Sequence, residues 1–187
     1  MNLGKTIYVT NRKQLRSWLS KNHNKEREIW LVYYRKSSGK PRIPYNDAVE
    51  EALCYGWIDS IVKRIDEEKF AQRFTPRRPK SILSEMNKER IRRLINSKRM
   101  TPIGLKAVSH AFDKDKEERL KIAPDILKAL RADKKTWENF NNFSEGYKKV
   151  RLGYIEDSRD GGKDIFQKRL NNFIKMTAKN KKFGMVR

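Results

Sequence analysis

Lys69-Phe70-Ala71-Gln72-Arg73-Phe74-Thr75 decides the fold, because it is the last stretch of the sequence with the period of a strand. Phe70, Gln72 and Phe74 alternate with Ala71, Arg73 and Thr75, as a strand with one face turned inward requires. From Ser84 onward the period changes. Ser84 can cap a basic helix in which Ile91, Leu94 and Ile95 form the apolar stripe. The chain is therefore expected to be α+β: a small N-terminal antiparallel or mixed sheet with two helices, followed by an all-helical C-terminal half.

Working toward the N-terminus, Ile61–Ile65 reads as the strand that pairs with Lys69–Thr75. Asp66-Glu67-Glu68 is the turn between them, although it lacks the usual Gly. Before it, a helix runs from about Tyr45 to Tyr55, with Asn46 or Asp47 as its cap and Gly56 at its left-handed end. Glu28–Tyr34 holds the continuous apolar run Ile29-Trp30-Leu31-Val32-Tyr33-Tyr34. Short and bounded by polar residues, it predicts a central strand buried on both faces. Thr6–Thr10 is a further short strand. Asn11 caps the helix after it, with Leu15, Trp18 and Leu19 on one face.

Working toward the C-terminus, Pro102 and Pro124 each open a helix, and Asp113–Arg119 is a charged linker or helix end. Thr136–Phe143, Ser144–Glu156 and Asp164–Thr177 are three more helices. The basic residues from Lys175 on form a frayed tail. The expected division is a sheet region, 1–80, and a helical region, 81–187, within one compact unit.

The 187 residues carry a net charge of +22, a field that draws polyanions and acidic partners. Cys54 is the single cysteine, so no internal disulfide forms, which fits a reducing compartment. No signal-peptide pattern opens the sequence, and no apolar run is long enough to span a membrane, so a cytoplasmic location is expected. With only His23, His110 and Cys54, no metal-ligand spacing exists. Neither a Walker A loop nor Gly-x-Gly-x-x-Gly occurs, and no cofactor is expected.

Costly residues concentrate in Cys54-Tyr55-Gly56-Trp57-Ile58-Asp59 and in Arg73-Phe74-Thr75-Pro76-Arg77-Arg78-Pro79. Trp57 can wall a pocket, Asp59 can accept hydrogen bonds, and Arg73 or Arg77 can make bidentate contacts with a carboxylate or phosphate. The same residues also have an ordinary structural reading: a core Trp, a turn-capping Asp and solvated arginines. Read as a site, Trp57, Asp59, Arg73 and Arg77 form a pocket for a small anion or an acidic protein or peptide. The alternative is nucleic-acid binding through Lys88, Arg92, Arg93 and Arg99 on the basic helix, together with the tail. An enzyme built on Asp59 or Cys54 is a third reading, and no catalytic motif supports it.

The run from Ala52 to Gly104 resembles the YdeI/OmpD-associated family, also called bacteriocin-protection proteins. It does so through Glu51-Ala52-Leu53-Cys54-Tyr55-Gly56-Trp57-Ile58-Asp59, Arg73–Ser81, Ser84, Asn87-Lys88 and Arg99-Met100-Thr101-Pro102-Ile103-Gly104. Trp30, Leu31 and Lys36 also fit, and the chain from Pro124 resembles the family's C-terminal helical tail. Leu83 departs from the pattern, standing where members typically carry Trp, and so does Gly146-Tyr147-Lys148. The resemblance implies a link to antimicrobial-peptide tolerance and envelope stress, and no chemistry, cofactor or catalytic residue. Such peptides are often cationic. A +22 chain repels them within a Debye length of about 8 Å, so an indirect role is expected rather than sequestration.

Overall fold

The computed structural model describes residues 3–112 and 120–184. The expected linker Asp113–Arg119 lies outside the described residues. Among the described residues four strands and eight α-helices succeed one another: β1 Thr6–Tyr8, α1 Arg12–Asn22, β2 Ile29–Tyr34, α2 Tyr45–Cys54, β3 Trp57–Arg64, β4 Lys69–Pro76, α3 Glu85–Asn96, α4 Pro102–Val108, α5 Pro124–Arg131, α6 Lys134–Asn142, α7 Glu145–Glu156 and α8 Lys163–Ala178. The class is α+β: all strands precede Arg77, and only helices and short turns come after it among the described residues. Two units are distinguishable. One comprises Met1–Ile82 with Arg90–Asp113, the other Leu83–Glu89 with Lys114–Arg187, so α3 contributes residues to both.

In the first unit the sheet order is β1-β2-β4-β3. β1 pairs with β2 in parallel across α1, and the other pairings are antiparallel. The apolar run of β2 earns its central place: Ile29, Trp30, Leu31 and Tyr33 are all buried, and consecutive residues face opposite sides. The alternation in β4 puts Gln72 and Phe74 beside Leu31 and Ile29, on the side where Trp57 meets Trp18 of α1 edge-on at 5.9 Å. Asn11 caps α1 by accepting from the Gln14 amide. In the β3–β4 turn, the Asp66 carboxylate accepts from the amides of Glu68 (2.9 Å) and Lys69 (2.8 Å), replacing the missing Gly with an Asx turn. The β3–β4 register shifts between Asp59 and Val62, a bulge that leaves Ile61 and Val62 exposed on the outer strand.

Three local expectations are corrected. β3 begins at Trp57 rather than Ile61, because Gly56 at φ +72° turns the chain directly from helix into strand. Neither Asn46 nor Asp47 caps α2. Its cap is Pro44, Asn46 accepts from Arg90, and Asp47 pairs with Arg12. On α3, Arg90 is buried with Ile91 and Leu94, whereas Ile95 is 40% exposed. The cause is polar: Arg90 finds an amide acceptor on α2, so the buried stripe turns toward it.

α2 is held by its polar end as well as by its apolar face. The Glu51 carboxylate is buried and receives Arg12 (3.3 Å), Arg16 (3.0 Å) and Arg99. Arg12 continues to Asp47 and Glu50, and Arg16 also donates to the Arg99 carbonyl. At the helix end, the Thr101 amide and hydroxyl both donate to the Cys54 carbonyl, while the Thr101 hydroxyl caps α4 through the Gly104 amide. Gly104 is required by the closeness of this approach: a Cβ there would stand 2.6 Å from the Cys54 carbonyl carbon. Cys54 is fully buried, and burial pushes its thiol up, which describes an inert core residue.

The second unit closes on Ile126, Leu130, Phe140, Phe143, Tyr147, Leu152, Ile155, Leu170 and Phe173. Asp133 and Ser144 cap α6 and α7 through side-chain acceptors. Up to Gly184 the tail is not frayed as expected. α8 runs to Ala178, and Phe183 packs against the core with its amide on the Tyr147 hydroxyl (3.2 Å).

Two substitutions probe the α2 anchorage by urea denaturation. Glu51→Ala leaves three arginines around an empty position. Its cost is about 3 kcal/mol, the low end for a broken buried pair because the arginines are partly exposed. Gly104→Ala forces α4 off the Cys54 carbonyl and costs roughly 1–3 kcal/mol. Wild-type midpoints in either variant would show that this end of α2 carries no such load.

Candidate functional site

Asp59 lies on β3 opposite Phe74, on the same side as Gln72. Its Oδ2 accepts from the Tyr45 hydroxyl (2.9 Å) and from Gln72 Nε2 (2.8 Å). Tyr45 stands there because Pro44 starts α2 and Tyr45 is its first residue. The Asp59 charge also bears on Tyr33, Arg77 and Arg90. Groups from three strands, the start of α2, the exit from β4 and Arg90 of α3 thus bear on one carboxylate, all of them within the sheet unit.

The surrounding groups are mostly donors. The Tyr33 hydroxyl is buried with no partner. Arg77 gives one Nη to the Ile82 carbonyl (2.9 Å), its buried Nε has no partner, and no carboxylate among the described residues pairs with it. Burial pushes the guanidinium groups of Arg77 and Arg90 below the usual arginine range, partly offset by Asp59 and, for Arg90, by Tyr45 as well. Burial also raises the Tyr45 hydroxyl to about 12, with the Asp59 charge and hydrogen bond adding to it. Tyr33 shifts upward for the same leading reason. Both tyrosines are therefore neutral donors across the physiological range.

Of the four residues expected to form the pocket, Arg77 feels the Asp59 charge but shares no hydrogen bond or ion pair with it among the described residues. Trp57 does not line it as an open wall. It is buried against Trp18, with Nε1 donating to the His23 carbonyl (3.2 Å). Arg73 lies on the other face of the sheet, where its Nε meets Glu28 at 2.7 Å. The reason is parity: Gln72 and Phe74 share the Asp59 side, so Arg73 cannot. Tyr33, Tyr45, Gln72 and Arg90 were not singled out in the sequence. Gln72 carried a readable signal, a polar residue in an inward position between Phe70 and Phe74. Tyr33 was concealed in the apolar run of β2.

The basic helix is not an open row of cations. Lys88 pairs with Glu85 (2.7 Å) and Arg93 with Glu50 (3.7 Å), while Arg99, expected on the same helix, lies past its end at Asn96 and pairs with Glu50 and Glu51. Arg92 lies over the Phe112 ring at 5.8 Å. Among the described residues no His/Cys/Asp/Glu group could hold a metal ion, and no helix is long and apolar enough to cross a membrane.

Two family models match. One, described as a domain of unknown function (DUF8412), covers residues 7–107, just over half the chain, and the chain belongs to that family. The other, described as bacteriocin-protection, YdeI or OmpD-associated, matches residues 119–180. The second match falls on the helical tail, while the Glu51–Gly104 motifs lie inside the first. No curated protein and no solved structure matches the chain.

The tyrosines make stability depend on alkaline pH. The fold raises Tyr45 from its ordinary 10 to about 12 by favouring the neutral form. That contribution is complete below pH 10 and is lost as pH rises toward 12. Urea unfolding across this window is expected to show falling stability, with a shallower fall in Tyr45→Phe. Equal slopes in the two proteins would remove Tyr45 from the account.

Proposed function

We propose that the chain is a cytoplasmic binding or regulatory protein that captures an anionic group at the Asp59 site and acts indirectly in tolerance of antimicrobial peptides or envelope stress. One observation carries this reading: the Tyr33 hydroxyl and Arg77 Nε are buried donors without acceptors, and both groups lie within the electrostatic reach of Asp59, a carboxylate that already has two donors. Leaving such groups unpaired costs about 1–3 kcal/mol each, and an acceptor from a ligand removes that cost. A carboxylate or phosphate suits Arg77, and Asp59 has acceptor capacity left for a ligand N–H or O–H. An acidic peptide offers both. The indirect role follows from charge, since a +22 chain disfavours cationic peptides at long range. The C-terminal family match supports the link to tolerance.

The test is a thermal-shift series with acidic dipeptides, simple carboxylates and oligonucleotides at fixed ionic strength. Acidic dipeptides are expected to raise the melting midpoint saturably. Arg77→Gln should lower their affinity about tenfold or more, the loss of one charge-assisted hydrogen bond. Asp59→Asn should keep the melting midpoint and lose the ligand effect. A shift produced by oligonucleotides alone, falling log-linearly with salt, would replace this reading with nucleic-acid binding.

A further inference from the structure

The second unit contains a pair of arginines that pair with no acid among the described residues. Arg151 on α7 is 5% exposed, and its buried Nε has no hydrogen-bond partner. Its guanidinium is flanked by rings instead, 4.0 Å from the Phe183 centroid and 4.9 Å from that of Tyr154. Arg169 on α8 lies over the same Tyr154 ring at 3.8 Å and donates to the Tyr154 carbonyl at 2.6 Å. Among the described residues neither arginine has a carboxylate within salt-bridge distance.

The contrast with a neighbour is instructive. Lys148, one turn earlier on α7, is also buried, and it is satisfied by the Asn141 carbonyl and by Glu145, both at 2.9 Å. The unit therefore has the means to pair a buried cation, and among the described residues it does not apply them to Arg151. Two cations close to one ring also repel each other. Burial, with Arg169 adding to it, pushes the Arg151 guanidinium below the usual arginine range. Aromatic faces compensate a guanidinium only in part and leave its in-plane N–H fork free.

We propose that Arg151 and Arg169, gathered on Tyr154, form a receptor for a phosphate group. Two guanidinium charges match a group that carries about −1.5 to −2 near neutral pH, where a carboxylate supplies only one negative charge. The planar fork of Arg151 suits bidentate contact with two phosphate oxygens. Phe183 stacks on the guanidinium and thereby fixes the plane in which the fork points. The site is separate from the Asp59 site and does not rest on that reading.

The experiment titrates the full chain with inorganic phosphate against sodium chloride at constant ionic strength, following the melting midpoint and the arginine Nε–H resonances. Phosphate is expected to raise the midpoint saturably and to move the Arg151 Nε–H signal, with acetate at equal concentration doing markedly less. Arg169→Ala, which removes a partly exposed side chain, should weaken phosphate binding about tenfold or more. Arg77→Gln should leave it unchanged. If Arg151→Lys folds, it should weaken binding as well; if it does not fold, the wild-type Arg151 resonance decides the matter. A phosphate effect equal to that of chloride, an unmoved Arg151 signal, or undiminished binding in Arg169→Ala would overturn the proposal. Loss of the effect in Arg77→Gln would do the same, by assigning it to the other site.

Discussion

The carboxylate of Glu51 is the point on which the sheet unit turns. It sits on a helix otherwise buried by Ala48, Val49, Ala52, Leu53 and Cys54, where an ionised acid is expensive unless fully compensated. Compensation comes from three arginines on two distant segments: Arg12 and Arg16 on α1, and Arg99 beyond α3. One charge therefore fixes the azimuth of α2, and with it where Tyr45 begins and where Gly56 releases the chain. The geometry of Asp59 depends on both. Breaking such a centre costs more than forming it stabilises, so its contribution is to specify the arrangement as much as to strengthen it.

The class of fold was legible because period is a local property. Alternation in Lys69–Thr75 and the apolar run of β2 identified strands, and Pro102 and Pro124 marked helix starts. The illegible parts depended on partners distant in sequence. Ile95 looked like a core residue until Arg90 found Asn46 across the unit. Asp47 looked like a cap until Arg12 claimed it. The tail looked frayed because its lysines are plain in the sequence, and the docking of Phe183 onto a distant helix is not.

The Asp59 site divides along the same line. Gly56, Trp57 and Asp59 drew attention through residue type, and Arg73 and Arg77 through their spacing to Pro76 and Pro79. Strand parity separates the two arginines: Arg73 closes with Glu28 on one face, while Arg77 leaves the strand altogether and lies within range of Asp59. The register was deducible once β3 and β4 were paired. The bulge, which offsets everything beyond Asp59, was not. Tyr33 escaped notice because a hydroxyl at the end of a large ring hardly alters the hydrophobicity of a strand.

The outer strand β3 has a further bearing on how molecules of this chain meet one another. Among the described residues no strand pairs with its outer edge, where Ile61 and Val62 are exposed, and such an edge is the usual template for edge-to-edge aggregation. The bulge breaks its flatness, and Lys63 and Arg64 come directly after. Behind them stands a net charge of +22, so two copies approaching through this edge repel long before their strands can register. That protection is colloidal rather than structural, and it thins as added salt shortens the screening length. The excess of lysine and arginine thus opposes edge-to-edge pairing of two copies in dilute salt.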